Sequence, residues 1–97
     1  MSTDLLQEMT VKIIREQELV IGPLAWIEAA KVTGLQVIDQ RAGTVLLNDA
    51  DPKSIIDRLI AQYEKLFGRA SHEVSRDAVR SIIANMSPEE VPSSLRM

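Results

Sequence analysis

Apolar residues recur every three or four positions in the first segment of the chain, from Asp4 to about Val20. This spacing places them on one face of a helix and leaves polar side chains on the opposite face. The apolar positions are Leu5, Leu6, Met9, Ile13, Ile14 and Val20. Gly22-Pro23 follows, and because proline cannot continue a helix, the first helix must end or kink there.

The segment after this break predicts a second helix of a different kind, from Pro23 to about Thr33. Proline suits the first position of a helix, and Gly34 can close the helix as a left-handed cap. The polar residues of the segment are Glu28, Lys31 and Thr33. A helix that is apolar on almost every side is either central to the core or partly covered by another chain.

The pattern changes to strand-like alternation between Leu35 and Asn48. Two short apolar runs flank the turn-like sequence Gln40-Arg41-Ala42-Gly43. The segment therefore predicts a β-hairpin in which Gly43 supplies a positive φ angle. Because two strands alone are marginally stable in water, the hairpin is expected to pack on helices or to pair with another hairpin.

Two further helices are predicted in the second half of the chain. Asp51 and Pro52 supply a cap and a first helical residue, helical spacing continues to Phe67, and Gly68 ends the segment. Ser71 can then cap a fourth helix. The apolar face of this helix consists of Val74, Ala78, Ile82, Ile83 and Met86.

These elements predict one compact α+β domain over residues 1–86, predominantly helical, in the order two helices, short hairpin, two helices. Residues 87–97 are expected to form a short turn and a frayed tail. A chain of 97 residues, 45% of them hydrophobic, can bury a core. It is too short to form two lobes around a large cleft.

The composition removes most kinds of catalytic chemistry. With no cysteine and one histidine, His72, the chain lacks the residues of thiolate zinc sites, cysteine nucleophiles and most serine triads. The acidic loop from Asn48 to Asp51 lacks the central glycine and terminal glutamate of a calcium-binding EF-hand. No glycine-rich phosphate loop or Gly-x-Ser-x-Gly elbow occurs. We therefore expect a protein that is not an enzyme and holds no metal or cofactor.

The absence of disulfides favours a reducing compartment, and the cytoplasm is the expected location. The first residues, Met1 to Asp4, lack the basic start and apolar run of a signal peptide. The chain also lacks the ~20 uninterrupted apolar residues that a membrane-spanning helix needs. No membrane partner is therefore expected.

The run Leu19 to Ala25 reads L-V-I-G-P-L-A, follows one helix and opens another. It resembles the (V/I)-G-P-(I/L)-A signature of small helical modules at the ends of some bacterial signalling and regulatory proteins. The resemblance covers about the first third of the chain. The sequence departs from the signature proteins by adding the hairpin and the long helical pair. The resemblance implies a non-catalytic regulatory or interaction module and carries over no catalytic residues.

The apolar second helix leads to the main functional hypothesis, a regulatory or protein-interaction domain that associates with itself. Large exposed apolar patches usually mark partner surfaces. A homodimer would bury such a patch, and so would docking onto a larger protein. The residues expected between core and interface are Ile21, Leu24, Trp26 and Ile27. The open alternative is a monomer whose second helix is the central helix of the core.

A competing hypothesis is a DNA-binding regulator that uses the fourth helix in a helix-turn-helix-like arrangement. Its contacts to phosphates and base edges would come from Arg69, His72, Arg76 and Arg80. The chain has 14 Asp+Glu against 11 Lys+Arg and a net charge of −3. Because phosphate neutralisation supplies most non-specific affinity, this balance disfavours nucleic acid as the partner.

Overall fold

The structure, a computed structural model, describes residues 3–96 and confirms a predominantly helical α+β fold with one antiparallel hairpin. The helices are α1 (Thr3–Ile21), α2 (Leu24–Ala29), α3 (Pro52–Phe67), α4 (Arg69–Ala78) and α5 (Arg80–Ile83). The strands are β1 (Leu35–Asp39) and β2 (Thr44–Leu47), and two 3-10 turns cover Pro88–Glu90 and Ser93–Leu95.

The first helix ends where its sequence predicts. Gly22 adopts a φ of 69°, a left-handed conformation that glycine tolerates, and Pro23 follows it. Near this end, the buried Gln17 donates from Nε2 to the backbone oxygen of Ser71 at 2.8 Å and to Ser75 Oγ at 3.1 Å. These two hydrogen bonds fix the last turns of α1 against the start of α4.

The hairpin packs on α1. Val37 of β1 stands opposite Val45 of β2, and Gln7 of α1 donates to the backbone oxygen of Val45 at 3.0 Å. Gly43 has a φ of 75°, and a Cβ atom there would lie 2.7 Å from the guanidinium of Arg15. Glycine is therefore favoured at this turn chiefly for its backbone conformation, because the Arg15 guanidinium is the end of a flexible side chain that can move aside.

The core lies between α1, α2, the hairpin and α3. The buried face of α3 consists of Ile55, Ile56, Leu59, Ile60 and Tyr63. The hydroxyl of Tyr63 donates to the backbone oxygen of Ala25 at 2.6 Å, which joins α3 to α2. Burial, followed by the negative charges of Glu28 and Glu18, raises the pKa of Tyr63 well above its ordinary value.

Two predicted helix caps have other roles in the structure. The side chain of Asp51 does not cap α3; its backbone amide instead donates to Asp49 Oδ1 at 2.9 Å. Ser71 lies inside α4, is buried, and donates from its hydroxyl to the backbone oxygen of Gly68 at 2.8 Å. The helices therefore begin at Pro52 and Arg69 without side-chain caps.

The fourth predicted helix is interrupted. Val79 has φ and ψ of −116° and 11°, outside the helical region, and its side chain is fully buried. The chain therefore bends between α4 and α5. Of the predicted apolar face, Ala78, Ile82, Ile83 and Met86 are only partly buried against the core.

The short turn predicted after Ser87 is present at Pro88–Glu90, but the prediction that the following residues fray is wrong up to Arg96. Val91 and Leu95 are 4% and 1% exposed, and the second 3-10 turn packs against α3. Asp57 of α3 accepts hydrogen bonds from the hydroxyl of Ser93 at 2.8 Å and the amide of Ser94 at 2.9 Å. Burial of apolar side chains and this carboxylate hold the segment in place. Met97 lies outside the described residues.

Candidate functional site

The structure separates the four residues that were expected between core and interface. Trp26 is 4% exposed and belongs to the core, and Ile21 is half-buried against it. Leu24 and Ile27 are 45% and 54% exposed. The second helix is thus neither buried on all sides nor wholly exposed: it contributes Trp26 to the core and Leu24 and Ile27 to the surface.

A glutamate is buried on α2 while two large apolar residues of the same helix are exposed. Glu28 is 7% exposed and accepts hydrogen bonds from Lys31 Nζ at 3.0 Å and Gln62 Nε2 at 2.8 Å. These hydrogen bonds, first that of Lys31 and then that of Gln62, hold the pKa of Glu28 below its ordinary value. The carboxylate joins α2 to α3 and so fixes which face of α2 points outward.

The last turn of α1 carries two exposed apolar residues. Leu19 and Val20 are 81% and 66% exposed. The helical spacing of the sequence predicted Val20 on the inner face of α1 and did not indicate Leu19 as an exposed apolar residue. The signal was available, because at about 100° per residue Leu19 lies roughly opposite Gln17 on the helix. Gln17 is the buried residue here, which turns Leu19 outward.

The last turn of α3 adds Leu66 and Phe67, which are 47% and 36% exposed. Leu66 lies one turn beyond Gln62, the partner of Glu28, and the start of α4 is bonded to Gln17. The α1–α2 turn at Gly22 and the α3–α4 turn at Gly68 therefore lie at the same end of the molecule.

We call the surface around the turns at Gly22 and Gly68 the two-glycine end. Its exposed apolar side chains are Leu19, Val20, Leu24, Ile27, Leu66 and Phe67. They make up six of the eight large apolar side chains that are exposed within residues 3–96; the other two, Ile38 and Leu46, lie on the hairpin. Exposed apolar side chains mark a surface that binds another protein where they form a contiguous patch.

A groove of about 1250 Å³ runs along α1 beside the hairpin turn. Its apolar wall includes Val11, Leu19 and Trp26. Its charged lining consists of Glu8, Lys12, Arg15, Glu16, Glu18 and Arg41. Because this lining has three acidic and three basic side chains, the groove favours neither an anionic nor a cationic ligand.

The residues of the DNA-binding alternative are mostly engaged with partners inside the protein. His72 Nδ1 lies 3.1 Å from Glu64 Oε1, and His72 Nε2 lies 2.7 Å from the backbone oxygen of Ser94. Arg76 pairs with Glu73 at 3.4 Å, and Arg80 pairs with Asp77.

Arg69 is exposed, and the bend at Val79 separates Arg80 from the other three candidate DNA contacts. Pairing of Arg76 and Arg80 with acidic residues of α4 leaves little positive charge to neutralise phosphates. DNA binding stays a prediction that this geometry supports less well than an apolar interface.

Within residues 3–96, no three histidine, cysteine or acidic side chains are grouped as metal ligands would be. No helix in that part of the chain has the length and apolar character needed to cross a bilayer. The two-glycine end is therefore the most distinctive surface of the described structure.

Comparison of the chain with protein-family models, with curated proteins and with solved structures finds no match. The resemblance of the run from Leu19 to Ala25 to bacterial regulatory modules stays a prediction. The geometry of the two-glycine end is therefore the main support for a proposed function.

Proposed function

We propose that this protein is a non-catalytic interaction domain that binds a second copy of itself through the two-glycine end. The observation that carries the proposal is that α2 and the last turns of α1 and α3 carry six of the eight large apolar side chains exposed within residues 3–96, while α2 buries Glu28. Removing apolar surface from water contributes about 25 cal/mol per Å². Association that covers these side chains is therefore favourable.

The regulatory part of the proposal has two supports. The Gly22-Pro23 break and its flanking residues resemble bacterial signalling and regulatory modules, and the chain offers no set of residues with evident catalytic chemistry. The lack of cysteine fits a reducing cytoplasm. A bacterial, cytoplasmic homodimer that transmits a signal through association is the function these features support best.

The molar mass in solution tests the proposal. Light scattering over a range of concentrations is expected to show a dimer for the wild-type protein. Leu24→Asp combined with Ile27→Asp is expected to give a folded monomer, because both side chains are exposed and a charge there opposes burial in an interface. Circular dichroism would check that the variant is folded.

The matched control is Leu46→Asp, which makes the same change at an exposed leucine on the hairpin and is expected to remain dimeric. Trp26→Asp is not a suitable test, because Trp26 is buried and a charge there would unfold the monomer. A wild-type protein that stays monomeric at the highest concentration that can be prepared would overturn the proposal.

A further inference from the structure

The segment that packs along α3 is held at Ser94 by two side chains of other helices. Asp57 of α3 accepts hydrogen bonds from the backbone amide of Ser94 at 2.9 Å and from its hydroxyl. The backbone oxygen of Ser94 lies 2.7 Å from Nε2 of His72 in α4. The imidazole ring therefore connects α4 to the second 3-10 turn, whose Leu95 side chain is 1% exposed.

The ring of His72 lies between two oxygens that accept hydrogen bonds. Nδ1 is 3.1 Å from Glu64 Oε1 of α3, while Nε2 faces the backbone oxygen of Ser94. A neutral imidazole has one N–H and one nitrogen lone pair, whereas the protonated ring donates from both nitrogens. The neutral ring therefore turns a lone pair towards one of the two oxygens, and the protonated ring satisfies both.

The other charged groups close to this contact have partners elsewhere. Within residues 3–96, Glu64 is the charged side chain paired with the ring. On α4 itself, Glu73 pairs with Arg76 at 3.4 Å. On the docked segment, Arg96 donates from Nε to the backbone oxygen of Val91 at 3.1 Å. The side chain of His72 is 22% exposed, so its surroundings are mostly protein.

We propose that His72 is a proton-dependent latch for the segment from Pro88 to Arg96. The protonated ring holds the segment by bridging Glu64 and Ser94, and loss of the proton removes one of these two hydrogen bonds. Histidine side chains change charge between about pH 5 and 8. The contribution of the ring to docking is therefore complete at the acidic end of that range and is lost as the pH rises through it.

Release of the latch acts on apolar surface within one chain. Val91 and Leu95 are buried when the segment is docked, and each opening of the segment exposes them to solvent. Asp57 accepts its hydrogen bonds from Ser94 whether or not the ring is protonated, so a rise in pH loosens the segment without detaching it completely. The latch does not depend on the self-association proposed above.

Hydrogen exchange at the backbone amide of Leu95 tests the latch. This amide donates to the backbone oxygen of Pro92 at 2.9 Å, so its protection reports how often the turn opens, once the intrinsic pH dependence of exchange is removed. In the wild type, protection is expected to be roughly threefold or more lower at about pH 8 than at about pH 5.5. His72→Gln cannot change charge and is expected to show equal protection at both pH values.

The matched control is Asp57→Asn, which weakens the other contact of Ser94. It is expected to lower protection of the Leu95 amide at both pH values and to keep the pH dependence. Because the chain has one histidine, nitrogen NMR of the imidazole follows the protonation of His72 without overlap. The loss of the proton and the loss of protection are expected to occur at the same pH.

Two results would overturn the latch. One is a wild-type protein in which the ring loses its proton while protection of the Leu95 amide stays the same. The other is a pH-dependent change of equal size in the wild type and in His72→Gln, which would assign the effect to a different group. The first comparison uses the wild type alone, so it decides the question even if His72→Gln does not fold.

Discussion

One apolar surface of the protein, along α3, is buried by the C-terminal segment, whereas the apolar side chains of the two-glycine end are exposed to solvent. Along α3, the C-terminal segment buries Val91 and Leu95, and Asp57 holds that segment by accepting hydrogen bonds from Ser93 and Ser94. At the two-glycine end, no described segment covers the six apolar side chains, the most exposed of which is Leu19. The two surfaces therefore differ in that one is buried by the chain itself and the other is exposed to solvent.

The largest expected difference is in the free energy of unfolding, between a variant that truncates a buried leucine and a variant that truncates an exposed leucine. Leu95→Ala deletes a fully buried side chain and leaves a cavity, so it is expected to lower the free energy of unfolding by about 3 kcal/mol. Leu19→Ala is expected to change it by less than about 0.5 kcal/mol, because Leu19 is solvent-exposed in the monomer.

Urea denaturation of both variants would measure the difference. The protein concentration must be low enough for the monomer to dominate, since dimerisation would add to the apparent stability of the wild type. Equal losses in the free energy of unfolding would show that the two leucines are buried to the same extent. That result would contradict the difference in burial between the two surfaces.

Helix and hairpin positions were predictable because local signals determine them. Gly22, Gly43 and Gly68 end or turn the chain where the apolar period changes, and all three adopt positive φ angles. The docked tail was not predictable from that reasoning. Its stability depends on Asp57, which is more than thirty residues away in sequence, and no local pattern marks that contact.

The outward face of α2 was missed for a similar reason. Residue type favours burial of Ile27 and exposure of Glu28, yet the structure has the reverse. Gln62 and Lys31 satisfy the carboxylate of Glu28, and satisfied polar groups can be buried. The sequence predicted that α2 lies between core and surface, whereas the hydrogen bonds of Glu28 decide which of its residues face the solvent.

An intermediate loss in the free energy of unfolding is expected when the hydrogen bond between the Tyr63 hydroxyl and the backbone oxygen of Ala25 is removed. Tyr63→Phe removes the hydroxyl that donates to Ala25 and leaves that buried oxygen without its partner. The expected loss in the free energy of unfolding is about 1–3 kcal/mol. Phe67→Leu, one turn further along α3 at an exposed position, is the control and is expected to cost less than about 0.5 kcal/mol. Similar losses in both variants would contradict a role for the Tyr63 hydrogen bond in holding α2.

The smallest expected effect concerns the charge of Glu28 and depends on pH. Because the pKa of Glu28 is lower in the folded protein than its ordinary value of 4.5, the folded state favours the carboxylate. Its contribution is complete at neutral pH and is lost as the pH falls below 4.5 and through the folded-state pKa. Glu28→Gln is therefore expected to lower the melting temperature at pH 7.

That difference from the wild type is expected to shrink at an acidic pH below the folded-state pKa of Glu28, where the native side chain is also neutral. Thermal melts of the wild type and Glu28→Gln at the two pH values measure this difference in melting temperature. Because the other carboxylates titrate in both proteins, a change in the difference with pH reports on Glu28 alone. Glu89→Gln is the control, since the Glu89 side chain is exposed and its only hydrogen bonds are made by its backbone oxygen. A difference that is the same at both pH values would show that the charge of Glu28 does not hold α2 in the orientation that exposes Leu24 and Ile27.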